Sequence, residues 1–153
     1  MDVIRPILAL VHVGSALLYV AGYVSTKMLT RLAVKAPDLP ARQRLLELSG
    51  RFDFWFQIPF GTLVGISGVA LTWASGYAFG QLWIVLSILV YAAIVFIGAG
   101  IWRRRSALVR DAMASGDDAR VVSILAAPRA VALGWIELAL IVAVVVLMVL
   151  RPT

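Results

Sequence analysis

The stretch Leu8–Thr30, LALVHVGSALLYVAGYVSTKMLT, decides the fold. Its only full charge is Lys27, near the end, and an apolar run of this length is enough for a helix to cross a hydrocarbon core of about 30 Å. On a helical wheel His12, Ser15, Tyr19, Tyr23 and Thr26 recur every three or four residues and form one stripe. Gly14 and Gly22 lie at its edges, and Leu17, Leu18, Val20 and Val24 cover much of the remainder. A polar, small-residue stripe on a greasy helix belongs against protein rather than lipid.

Three more runs of similar length follow, so that the expected spans are roughly 4–29, 53–74, 81–103 and 129–150. Hydrophobic residues make up 62% of the 153-residue chain and charged residues 14%. A water-soluble domain usually carries about 25% charged residues, so this chain has too few to cover a surface in water. The expectation is one all-α transmembrane domain over residues 1–153. It is an integral membrane four-helix antiparallel bundle, with short interfacial helices in two cytoplasmic loops. The first run is too long for a signal-peptide core, has Asp2 as well as Arg5 before it and shows no cleavage motif, so it reads as a retained helix. Absence of cysteine excludes disulfides and thiolate metal sites.

The basic residues give an orientation. Lys27, Arg31, Lys35, Arg42, Arg44 and Arg51 follow the first run, and Arg103, Arg104, Arg105, Arg110, Arg120 and Arg129 separate the third from the fourth. Only Arg5 and Arg151 lie on the other side. Both long loops are therefore expected in the cytoplasm and both termini outside a bacterial inner membrane. The net charge of +6 fits attraction to anionic lipids at that face and needs no nucleic acid.

Within the first loop, Pro40–Ser49 reads as a short helix, with Gly50 as its C-cap. Phe52, Phe54, Trp55 and Phe56 form an aromatic belt where span two begins, with Asp53 and Gln57 as interfacial anchors. Lys27 is expected to snorkel to the cytoplasmic surface. Span two carries Gly61, Gly65 and Gly68 beside Ser67; Gly61 and Gly65 make a GxxxG pair that lets another helix approach closely. A short uncharged turn at Ser75–Gln81 makes spans two and three an antiparallel hairpin. Span three, with Ser87 and Tyr91 as polar handles, continues as helix to about Ala114. Gly116 ends it, Asp117 or Asp118 caps a second short helix through Ala126, and Pro128 precedes span four.

Two residues carry the candidate chemistry. His12 can be an axial ligand to haem b, a ligand to another metal or a proton relay; it can equally be hydrogen-bonded to Ser67, Ser87 or a carbonyl. A second histidine for bis-histidine haem is absent, and Met28, Met113 and Met148 are the thioethers at hand. Glu137, in span four, is costly near a bilayer centre, about 2.5–3.5 kcal/mol on insertion scales. It should face protein, with Tyr19 the partner best matched in depth. No nucleotide loop, nucleophile triad, metalloprotease motif or nucleic-acid signature is present.

The first span Leu8-x-x-Val11-His12-Val13-Gly14 with Gly22-Tyr23-Val24, the Arg51-Phe52-x-x-Trp55-Phe56 start of span two, the Arg103-Arg104-Arg105 exit of span three and the Glu137 span ending Leu150-Arg151-Pro152-Thr153 resemble a small bacterial family of predicted integral membrane proteins of unknown function. That family is similar to the CopD-like copper-resistance membrane proteins and, more distantly, to HemJ-type protoporphyrinogen oxidases. The resemblance to the latter implies haem binding at His12. The chain departs from the oxidases at Tyr91-Ala-Ala, where they carry a further histidine-bearing segment, and has no match for their intramembrane lysine. The expected function is a non-enzymatic structural or accessory subunit of a membrane complex or homo-oligomer. The alternatives are a HemJ-like haem protein and CopD-like copper handling, for which a lone histidine and four methionines are a sparse ligand set.

Overall fold

A computed structural model describes residues 3–152, which leaves Asp2 and Thr153 outside the described residues. Every regular element among them is helical: α1 Ile4–Val34, α2 Leu39–Phe52, α3 Ile58–Ala74, α4 Leu82–Phe96, α5 Arg103–Ala114, α6 Asp118–Ala126 and α7 Pro128–Leu150. Four helical stretches are long and apolar enough to cross a membrane: Ile4–Val34, Leu39–Ala74, Leu82–Ala114 and Pro128–Leu150.

The second and third stretches are each continuous helices with a π segment inside. Asp53–Gln57 joins α2 to α3, and Ile97–Trp102 joins α4 to α5. The first has a clear cause. Pro59 lacks an N–H and cannot complete an ordinary helical turn, and the ladder shifts just before it, with the Ile58 N–H donating to the Asp53 carbonyl five residues back. The second lies on Gly98 and Gly100, both weak helix formers. This continuity corrects the expectation for Gly50. It does not cap a helix; it sits inside one, and the positive-φ glycines are Gly76 and Gly116.

The later boundaries follow their local chemistry. Asp117 accepts a hydrogen bond from the Arg120 N–H at 2.9 Å and so caps α6. Gly116, at φ +70°, makes the turn before it, and Pro128 opens α7 at a position where its missing N–H costs nothing.

Two compact units emerge, one of residues up to Lys35 with Ala41–Phe79, the other of Ala36–Pro40 with residues from Gly80 on. In the first, α1 and α3 pack antiparallel. Arg5 Nε donates to the Ala74 carbonyl at one end (2.7 Å), and Gln57 Nε2 donates to Thr26 Oγ1 near the other (3.0 Å). Ser49 also reaches the Thr26 carbonyl. Arg42 is buried and turns its Nε onto the Ala33 carbonyl, satisfying the end of α1. In the second unit, α4 packs against α7 with Ile84, Ile94 and Ile141 buried. There α5 and α6 form a hairpin around Val109, Ala112 and Val121, and Arg105 donates to the Ile124 carbonyl.

Candidate functional site

The stripe on α1 is the face that meets α3. His12, Ser15, Gly22 and Tyr23 are buried, while Leu17 (67% exposed) and Val24 (53%) face outward. His12 Nδ1 lies 3.1 Å from the Val64 carbonyl and 3.1 Å from Ser67 Oγ. A carbonyl only accepts, so Nδ1 carries the hydrogen of the neutral ring and Nε2 keeps its lone pair. Ser67 Oγ donates to the Leu63 carbonyl at 2.6 Å, which leaves its own lone pair for the imidazole. The ring lies flush on α3, since a Cβ built on Gly68 would stand 3.0 Å from His12 Cε1.

The glycines divide by what they meet. A Cβ on Gly22 would come within 2.6 Å of Phe56 Cβ, and one on Gly61 within 3.2 Å of the Tyr19 ring. Gly22, Gly61 and Gly68 thus permit the close approach of α1 and α3. Gly65 is half-buried beside them. Gly14 is a correction: an added Cβ there meets nothing within 4 Å, so the packing does not require a glycine at that position.

At the far end of this unit Gln57 and Lys27 are half-buried, while Asp53 is exposed. Gln57 ties α3 to Thr26, and Lys27 Nζ sits 4.8 Å from the centre of the Tyr23 ring.

The second unit has its own polar pair. Glu137 is buried, 3% exposed, and its Oε2 accepts from Trp102 Nε1 at 2.9 Å. The Arg105 guanidinium stands 5.4 Å from the centre of the Trp102 ring. Sequence reasoning placed Trp102 only at the exit of a span. The available signal was its donor-only indole, which needs an acceptor when buried. Ser87 is buried and donates to the Trp83 carbonyl of its own helix. Arg151 caps the C-terminal end of α7 in a left-handed conformation and lies 5.8 Å from the Trp83 ring centre.

Among the described residues no three histidine, cysteine, aspartate or glutamate side chains converge on a point. His12 and Glu137 belong to different units. Each is held by partners that tie one helix to its neighbour, which is first of all a structural arrangement. No curated protein and no solved structure matches the chain. Residues 6–152 match a family described as "Predicted integral membrane protein (DUF2269)", and the chain belongs to that family.

Proposed function

We propose that this multi-pass membrane protein serves as a small non-catalytic subunit of a larger membrane assembly. One observation supports the reading above others. The polar side chains within its spans act as ties between helices: His12 to Val64 and Ser67, Gln57 to Thr26, Trp102 to Glu137. A catalytic or transport site instead aims such groups into a cavity. An open, apolar surface groove runs along the third span and is lined by residues such as Ile88, Val95 and Phe96. The placement of Lys and Arg supports a bacterial inner membrane with both termini outside.

The HemJ-like and CopD-like alternatives centre on His12. Its Nδ1–H on a carbonyl, with Nε2 left as acceptor, is how a ligating imidazole is usually oriented. The surroundings do not fit a haem. Gly68 lies against the ring edge, and the chain has no second imidazole. Copper would need soft ligands gathered at one point, whereas Met28 is exposed on α1 and Met148 lies on α7.

Isolation of the tagged protein in mild detergent tests the proposal. The expected result is colourless protein that migrates with a reproducible set of other membrane proteins, in the wild type and in His12→Ala alike. A Soret band abolished by His12→Ala, or copper retained by the wild type and lost on His12 or Met148 substitution, overturns it.

A further inference from the structure

The helix Leu39–Ala74 is 36 residues long, or about 54 Å, far more than a bilayer core requires. Counting about 20 residues back from Ala74, the length that spans the hydrocarbon, reaches Trp55. The aromatic group Phe52, Phe54, Trp55 and Phe56 therefore stands where acyl chains give way to headgroups, and Arg51 lies one turn further out, at the level of the phosphates.

A hollow of about 190 Å³ opens at this level, lined by Arg51, Phe52, Trp55 and Phe56. Its aromatic walls are in contact with one another and with their neighbours. Phe52 stacks on Phe56 with ring centres 5.6 Å apart, Phe56 meets Phe60 at 6.1 Å, and Trp55 meets Phe54 edge-on at 5.3 Å. Phe56 is also seated against Gly22 of α1. Trp55 is 66% exposed, and Arg51 is exposed with no hydrogen-bond or ion-pair partner among the described residues. It contrasts with Arg42 and Arg105, both engaged with carbonyls.

An unengaged arginine bordering an open apolar hollow is complementary to one occupant: a phosphate with a hydrocarbon chain attached. We propose that Arg51, Phe52, Trp55 and Phe56 form a binding site for an anionic phospholipid. Arg51 forks onto the phosphodiester, and the first methylenes of one acyl chain lie along Phe52, Trp55 and Phe56. The site holds a particular lipid, unlike the general attraction of a basic loop to a charged surface. It depends on the second span crossing the bilayer and not on the subunit reading, so the two stand or fall separately.

Native mass spectrometry of the full chain, titrated with phosphatidylglycerol or with phosphatidylcholine of the same acyl chains, tests the site. Arg51→Gln is exposed and should fold as the wild type does. It should weaken the first phosphatidylglycerol adduct about fivefold, the equivalent of about 1 kcal/mol. Arg44→Gln lies two turns farther out, about 10 Å away, and should change it less than about twofold. An Arg51→Gln adduct as strong as wild type overturns the proposal. So does an equal loss in both variants, which means a diffuse basic surface, and so does phosphatidylcholine binding as tightly as phosphatidylglycerol.

Discussion

The two helix pairs are held together in different ways. Along α1 and α3, ties recur at nearly every level: Arg5 on the Ala74 carbonyl, His12 on Val64 and Ser67, Tyr19 against Gly61, Gly22 against Phe56, Gln57 on Thr26. Along α4 and α7 the buried residues between the ends are mainly aliphatic, and a side-chain hydrogen bond from Trp102 reaches the buried Glu137. Lipid tails are as apolar as leucine, so helices in a bilayer gain little by burying apolar surface against one another and depend on close packing and polar ties. The first pair distributes that dependence over small residues and several weak bonds. The second includes a buried carboxyl group that joins two helical stretches.

The largest expected effect is at Glu137, because it is buried. Glu137→Lys puts an ammonium opposite the Trp102 indole N–H, a donor against a donor. It should lower stability by about 3–5 kcal/mol, the range for an uncompensated buried charge, and in practice prevent recovery of folded protein. Glu137→Gln keeps an oxygen for the Trp102 N–H and should cost about 1 kcal/mol or less. The measurement is the folded fraction against denaturing detergent, followed by size exclusion. Equal tolerance of both substitutions means the side chain reaches water or headgroups, and the contrast between the pairs disappears.

Much of the first pair was legible in the sequence. A period of three to four over His12, Ser15, Tyr19, Tyr23 and Thr26 marks a helix face whatever lies opposite, and the glycines of span two mark the surface that can approach it. The partners were less legible. Val64 serves through its carbonyl, which every residue possesses, so its side chain carried no signal. Gln57 read as a surface anchor because span two was started at residue 53. The helix in fact begins at Leu39, and the Pro59-linked π turn carries Gln57 onto α1. Gly50 read as a cap because glycine often ends helices, but its backbone stays right-handed here. The pairing of Trp102 with Glu137 was not legible, because an indole beside an arginine run does not show which acceptor it meets.

A smaller effect separates the glycines of α1. Gly22→Ala brings a methyl group within 2.6 Å of Phe56 Cβ, a main-chain-anchored atom that cannot swing aside. The helices must part, at a cost of about 1–3 kcal/mol. Gly14→Ala, with nothing within 4 Å, should stay within about 0.5 kcal/mol of wild type. Thermal aggregation in detergent, compared side by side, reads both. Equal losses show that the cost is general to the helix and not to its contact with α3.

The smallest expected effects test whether the first pair really shares its load. His12→Ala removes the imidazole from both Val64 and Ser67. Interhelical hydrogen bonds in membranes average about 0.6 kcal/mol and reach about 1.7 kcal/mol, so a loss near the upper figure is expected for a group touching two acceptors. Ser67→Ala removes one of those two, while Nδ1 keeps the Val64 carbonyl at 3.1 Å. Its cost should fall at or below about 0.6 kcal/mol. The double variant should then cost little more than His12→Ala alone, because the serine's contribution across the helix pair runs through the imidazole. Fully additive losses in a double-mutant cycle mean that Ser67 supports α3 through its bond to the Leu63 carbonyl and not through His12. The tie between the helices would then rest on the histidine and the Val64 carbonyl alone.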